Sequence, residues 1–227
     1  MKIVFLHALP FDERMWEPQL PALAEHEVRA PKLYDLGSSM DEWALGALQQ
    51  VPGRLVAVGA SMGGYCASAI ARLAPERLEA VVLVGSRANA DPPDRAPLRE
   101  EWIRIAREQG GEGLWEAAAK TFFAPETPAE VVEWAHAIVR GQDPEGLVRA
   151  IEAIRDRPDS TEAVTSGIPL LVVAGELDPL IGTEVAHELA TSSPTGRAEV
   201  LEGCGHLPSM ERPDEFNRIL ATFLATL

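Results

Sequence analysis

Cysteine is scarce in this chain. Cys66 and Cys204 are the only two in 227 residues, and neither has another thiol nearby in sequence. That excludes a disulfide framework and fits a reducing compartment, so a cytoplasmic location is expected. Basic residues are also few: 20 Lys and Arg stand against 35 Asp and Glu, a net charge of -15. No Lys/Arg run supplies the electrostatic footprint that nucleic acid or an anionic membrane needs, and both are excluded as partners. Long hydrophobic runs are missing too. The uncharged stretch from Leu55 to Ala71 is interrupted by Gly59, Gly63 and Gly64. A strand, a turn and a buried helix account for it better than a membrane span. At the N-terminus, His7 and then Asp12-Glu13-Arg14 end the short apolar run Ile3 to Leu6, so no targeting segment is expected. What is present is ordinary for a globular protein: 46% hydrophobic and 24% charged residues. A chain of this size buries roughly 70% of its extended surface and needs no metal or disulfide staple.

Six short apolar runs read as strands: Lys2–Leu6, Glu27–Ala30, Arg54–Val58, Ala80–Val84, Ile168–Ala174 and Ala198–Leu201. They are continuous rather than alternating, as in parallel strands covered on both faces. Helical patterns lie between them. Met62, Tyr65, Cys66, Ala69, Ile70 and Leu73 form one apolar stripe. Asp41–Gln50, Thr183–Ala190 and Pro213–Leu224 are further helices. The alternation predicts an α/β fold with right-handed crossovers.

The alternation breaks between Ser86 and Gly167. Helices are expected there at about Pro97–Gln109, Gly113–Thr121, Pro128–Arg140 and Pro144–Asp156. Thr127-Pro128-Ala129-Glu130 has the form of a capping box, and Asp143-Pro144 that of an N-cap followed by proline. The organisation expected is a core of residues 1–86 and 167–227, with an all-helical insertion at 87–166.

Gly59-Ala60-Ser61-Met62-Gly63 matches G-x-S-x-G, directly after an expected strand and before an expected helix. A serine on such a turn is lifted above the carboxyl ends of the strands, and small neighbours prevent clashes. The helix start beneath it favours developing negative charge. The structural alternative is a glycine-rich turn that packs a helix closely on the sheet. A neutral serine needs a base. Of five histidines, His206 lies in a loop after the last strand, at the same sheet edge as Ser61, whereas His136 and His187 fall within helices and His26 in a charged connector. An imidazole base needs a carboxylate to fix its tautomer. Asp178 follows the strongest strand and gives the order Ser, Asp, His; Glu176 is the competing acid, and a turn or N-cap aspartate is the structural alternative for Asp178.

With these motifs the sequence resembles the α/β-hydrolase superfamily over nearly its whole length. Phe5-Leu6-His7-Ala8-Leu9-Pro10 with Trp16, Gly59 to Gly64, and Gly205-His206-Leu207-Pro208 followed by Glu211-Arg212-Pro213 and Phe216 carry the resemblance. The last is similar to the histidine loop of small capped esterases, lactonases and cofactor-free haloperoxidase-like enzymes. The resemblance implies a catalytic set of Ser61, Asp178 and His206, with the backbone amides of Leu9 and Met62 as oxyanion donors, each worth roughly 3 kcal/mol. The family's usual His-Gly is His7-Ala8 here. The family's leading antiparallel hairpin is absent, so a shortened, mostly parallel sheet of about six strands is expected. The helical insertion corresponds to the family's cap.

The activity implied is serine-dependent cleavage of small carboxylic esters through an acyl-serine intermediate, with no metal or organic cofactor. Lactonase, thioesterase, carbon–carbon bond hydrolase, acyltransferase or perhydrolase chemistry are alternatives on the same residues. A non-catalytic ligand-binding role is the alternative of a different class. Trp102, Trp115, Phe122, Phe123 and Trp134 of the insertion either line a substrate pocket or hold a small cap together. Arg95, Arg99, Arg104 and Arg107 either recognise a carboxylate or, interleaved with Glu100, Glu101 and Glu108, form a solvated face. The net charge favours a neutral ester over a polyanion as the small-molecule partner.

Overall fold

The strands β1 (Lys2–Leu6), β2 (Glu27–Arg29), β3 (Leu55–Ala60), β4 (Leu78–Val84), β5 (Leu170–Gly175) and β6 (Gly196–Leu201) form one sheet. It is parallel throughout, in the order β2-β1-β3-β4-β5-β6. The computed structural model describes all 227 residues. Alternate strand residues enter two separate apolar layers. Val4, Leu6, Ala57, Leu83 and Val172 face one layer, and Ile3, Phe5, Val58, Val82 and Val173 face the other. Strands β3 and β5 are buried along their whole length, which explains their continuous apolar sequence. The edge strands β2 and β6 are partly exposed, which explains their weaker patterns.

Helices α1 (Met40–Gln50) and α2 (Met62–Leu73) cover the first face. Ser39 caps α1 by accepting from the Glu42 amide at 3.2 Å. Between β4 and β5 run α3 (Ala96–Ala118), α4 (Ala129–Arg140), α5 (Pro144–Arg155) and the short α6 (Thr161–Thr165). Helix α3 runs through the first expected segment and most of the second, joined at Gly110, whose φ of 61° breaks the helical path at a residue without a side chain; Ala119–Thr121 follow as a 3-10 turn. Asp143 caps α5 through the Gly146 amide at 2.8 Å. The capping box expected at Thr127 does not form. Pro128 occupies the N-cap of α4 with no side-chain bond, and the Thr127 hydroxyl donates instead to Glu211 at 2.7 Å. In a capping box that oxygen would accept from the Glu130 amide; here the hydroxyl is used instead as a donor to a buried carboxylate, a charge-assisted bond.

The helices between β4 and β5 have no core of their own. Ile103, Leu147 and Ile151 from α3 and α5 join the apolar layer of α1 and α2. Ala135, Ile138 and Val139 of α4 join the opposite layer. Helix α7 (Thr183–Ser192) packs on β5 and β6. The four-residue α8 (Pro208–Glu211) and then α9 (Pro213–Leu224) end the chain, with Phe216, Leu220 and Phe223 inward. Trp16, on a 3-10 turn after β1, is fully buried and stacks on Phe5 with ring centroids 4.5 Å apart. No helix is long and apolar enough to cross a membrane.

Candidate active site

The turn from β3 to α2 places Ser61 at the carboxyl edge of the sheet. Ser61 has φ 47° and ψ -111°, and it is the only residue other than glycine with positive φ. This strain is sustained by its surroundings. The Ser61 amide donates to Val84 O at 2.8 Å, and the Ser86 hydroxyl donates to Ser61 O at 2.8 Å. A Cβ on Gly59 would collide with the Gly63 carbonyl, and one on Gly63 with the Leu6 carbonyl. The motif's glycines are therefore required by the closeness of α2 to β1 and β3 as well as by the turn. The packing role and the lifted serine coexist. Ser61 Oγ makes no hydrogen bond to α2.

His206 lies in the loop after β6 and is 3% exposed. Its Nδ1 is 2.7 Å from Asp178 Oδ2. The other oxygen of Asp178 accepts from the amides of Leu180 at 2.8 Å and Ile181 at 3.1 Å. The turn role and the pairing with His206 are thus filled by the two oxygens of one carboxylate. Glu176, the competing acid, is exposed and accepts from the Gly203 amide at 2.9 Å. His206 and Ser61 line one cleft, which encloses about 590 Å³ of empty space, part of it open to solvent. Leu9 lines the same cleft, and its amide bonds to no protein group. Met62 begins α2, so its amide is one of the orphan donors of a helix start.

Sequence reasoning gave Glu211 no role. It is 6% exposed, and its carboxylate accepts from the amides of Gly205 at 3.1 Å, Leu207 at 3.2 Å and Ala124 at 2.8 Å, in addition to Thr127. Gly205 and Leu207 flank His206, so this one side chain fixes the histidine loop from both sides. The His206 amide also donates to Phe122 O at 3.0 Å. The signal in sequence was an acid four residues beyond Leu207, within the Glu-Arg-Pro run already noted.

Of the five aromatic residues considered for a pocket, Trp102 and Phe122 line the cleft. Trp115, Phe123 and Trp134 do not. Trp115 stacks on His136 at 4.7 Å and lies 6.2 Å from Phe123, and all three pack on the layer beneath α4. Their role is to join the helices to each other and to the core. Arg104 bonds Glu101 and Glu108 on the solvated face, and Arg107 lies near Glu152. Arg95 and Arg99 line the cleft.

The family model for the alpha/beta hydrolase family matches residues 3–219. The chain belongs to the alpha/beta hydrolase family. Its relatives include the pimeloyl-[acyl-carrier protein] methyl ester esterase of Yersinia enterocolitica, 27% identical over 97% of this chain and 92% of that protein. Among solved structures, a thermophilic esterase from Thermogutta terrifontis with malate bound superposes with a TM-score of 0.93, at 28% identity, over 100% of this chain and 90% of that one. The enol-lactonase of Burkholderia xenovorans has a TM-score of 0.83 at 26% identity, over 99% and 91% of the two chains. The fold is that of the alpha/beta hydrolases, with a sheet of six parallel strands flanked by helices. Its esterase-named relatives make the chain a hydrolase of this family.

Proposed function

We propose that the protein is a serine esterase that cleaves small carboxylic esters, with Ser61 as nucleophile, His206 as base and Asp178 as the carboxylate that orients it. The observation that carries this reading is the 2.7 Å bond from His206 Nδ1 to Asp178 in the cleft that also holds Ser61 at positive φ. With Nδ1–H donated to Asp178, Nε2 of His206 is the basic nitrogen. It takes the proton as Ser61 Oγ adds to the ester carbonyl, and passes it to the departing alkoxide. The amides of Leu9 and Met62 hold the oxyanion of the tetrahedral intermediate. Water, deprotonated by the same nitrogen, then cleaves the acyl-serine. The helices between β4 and β5 act as a cap over the cleft, to which they contribute Trp102 and Phe122.

A fluorophosphonate probe tests the assignment. It should label the wild type and leave Ser61→Ala unlabelled; equal labelling of both removes Ser61 as nucleophile. A panel of p-nitrophenyl esters of rising chain length, with a lactone and a thioester alongside, separates ester cleavage from its relatives. Fastest turnover of the lactone would replace the esterase reading with a lactonase.

A further inference from the structure

Four arginines and one carboxylate line the cleft beside Ser61: Arg87, Arg95, Arg99, Arg157 and Asp91. Asp91 engages two of the arginines. Arg99 donates from Nε and Nη2 to its two oxygens, each at 2.9 Å, and Arg157 Nη1 donates to Oδ1 at 2.8 Å. Burial works against the Asp91 anion, but these hydrogen bonds outweigh it and hold its carboxyl below the usual carboxylate range. Both guanidiniums are buried and lie over aromatic rings, Arg99 at 5.5 Å from the centre of Trp102 and Arg157 at 3.9 Å from that of Tyr65.

One carboxylate cannot neutralise two guanidiniums, which stay protonated at any ordinary pH. Arg87 and Arg95 add two further charges. The Arg87 side chain makes a single hydrogen bond, from Nη2 to Leu180 O at 3.3 Å, and the Arg95 side chain makes none. Neither forms an ion pair, and both are half-buried. The lining is therefore cationic, in a chain whose net charge is -15. A cationic excess in a half-enclosed cleft is complemented by an anionic group on whatever binds there.

We infer that the substrate carries one carboxylate beside its ester, held by Arg87 and Arg95 while the ester carbonyl lies at Ser61. This substrate class is a short-chain monoester of a dicarboxylic acid, and it rests on the esterase reading above. A guanidinium fork matches a carboxylate with two parallel N–H bonds. The outer field of a chain with net charge -15 works against the approach of a dianion. Trp102, Phe122 and Leu180 supply an apolar wall for an aliphatic chain between the two polar ends. The neutral ester expected from net charge describes the outer field; the group that enters the cleft meets the opposite sign.

The test uses monomethyl esters of linear dicarboxylic acids of four to eight carbons. Each is compared with the isostere whose free carboxylate is replaced by a carbamoyl group, with methanol release as the readout. At the fitting length, kcat/KM for the carboxylate should exceed that for its isostere by about tenfold or more. The ratio should fall toward one in Arg87→Gln and in Arg95→Gln. A ratio of one at every length in the wild type, or an unchanged ratio in both variants, overturns the inference. So does faster turnover of the corresponding terminal phosphonate. Calorimetry on Ser61→Ala reads binding without turnover: the carboxylate ester should bind about tenfold tighter than its isostere, with the preference lost in the Arg87→Gln, Arg95→Gln double variant. Fluorophosphonate labelling with equal turnover of both esters leaves the esterase standing and removes the carboxylate site. Selective binding without labelling or turnover of any ester does the reverse.

Discussion

His206 and His7 are both buried and both follow a strand at the carboxyl edge of the sheet. Their ring nitrogens meet different partners. In His206, Nδ1 faces a carboxylate whose second oxygen is held by two backbone amides. In His7, Nδ1 lies 3.1 Å from its neighbour's carbonyl, Ala8 O, and Nε2 accepts from the Leu33 amide at 2.9 Å. Both nitrogens of His7 are occupied. Burial, with no carboxylate bonded to the ring, pushes its pKa down to about 4, against the pull of the Ala8 carbonyl and the more distant Asp12 charge. His7 is thus a neutral, structural imidazole that ties β1 to the segment before α1. Burial alone does not make a base; an anionic partner on one nitrogen and an unoccupied second nitrogen do.

The largest test of this contrast removes the anion from His206. Asp178→Asn keeps the size and the acceptor for Leu180 and Ile181, yet no longer fixes the imidazole tautomer. We expect kcat to fall by about 10⁴ with the fold intact by circular dichroism. A loss below tenfold would mean that the carboxylate does not distinguish the two histidines. Glu211→Gln comes next, because it loosens the backbone on both sides of His206. An amide cannot accept on both of its termini, so the variant leaves at least one buried donor unpaired. It should lose about 3 kcal/mol in denaturant unfolding, mostly as stability rather than kcat. Loss of activity at full stability would instead place Glu211 in the chemistry.

The smallest effect belongs to His7 and appears only in acid. Its folded pKa lies below the unfolded value, so the unfolded chain binds the extra proton first as pH falls. Its contribution is complete above pH 6.5 and disappears between there and about 4, with up to roughly 3 kcal/mol at stake. His7→Gln should flatten the stability profile in that window by this amount. An unchanged slope would show that His7 is protonated in the folded protein.

The contacts legible in sequence were those made by neighbours in the chain. The serine turn was readable because Gly59, Ser61 and Gly63 stand in one short run between a strand and a helix, although the need for Gly63 comes from the Leu6 carbonyl of β1, and the Asp143 cap because it bonds three residues ahead. The Thr127 capping box failed because its hydroxyl met Glu211, 84 positions away. The charge alternation on α3 described Arg104 and misdescribed Arg99. At 3.6 residues per turn these two lie about 140° apart around the helix, so one faces glutamates and the other shares a side with Trp102. That angle follows from sequence position alone. The pairing of Arg99 and Arg157 on Asp91 does not, because the chain must fold before the three residues meet.

The bond from His206 N–H to Phe122 O and the grip of Glu211 on Ala124 and Thr127 have a consequence for redesign. The helices between β4 and β5 are tied to the histidine loop and are not an exchangeable module. A chimaera that imports the corresponding region of another hydrolase inherits a misplaced histidine unless residues 122–127 are kept with the recipient. Crossover points on this side belong between Thr127 and α4.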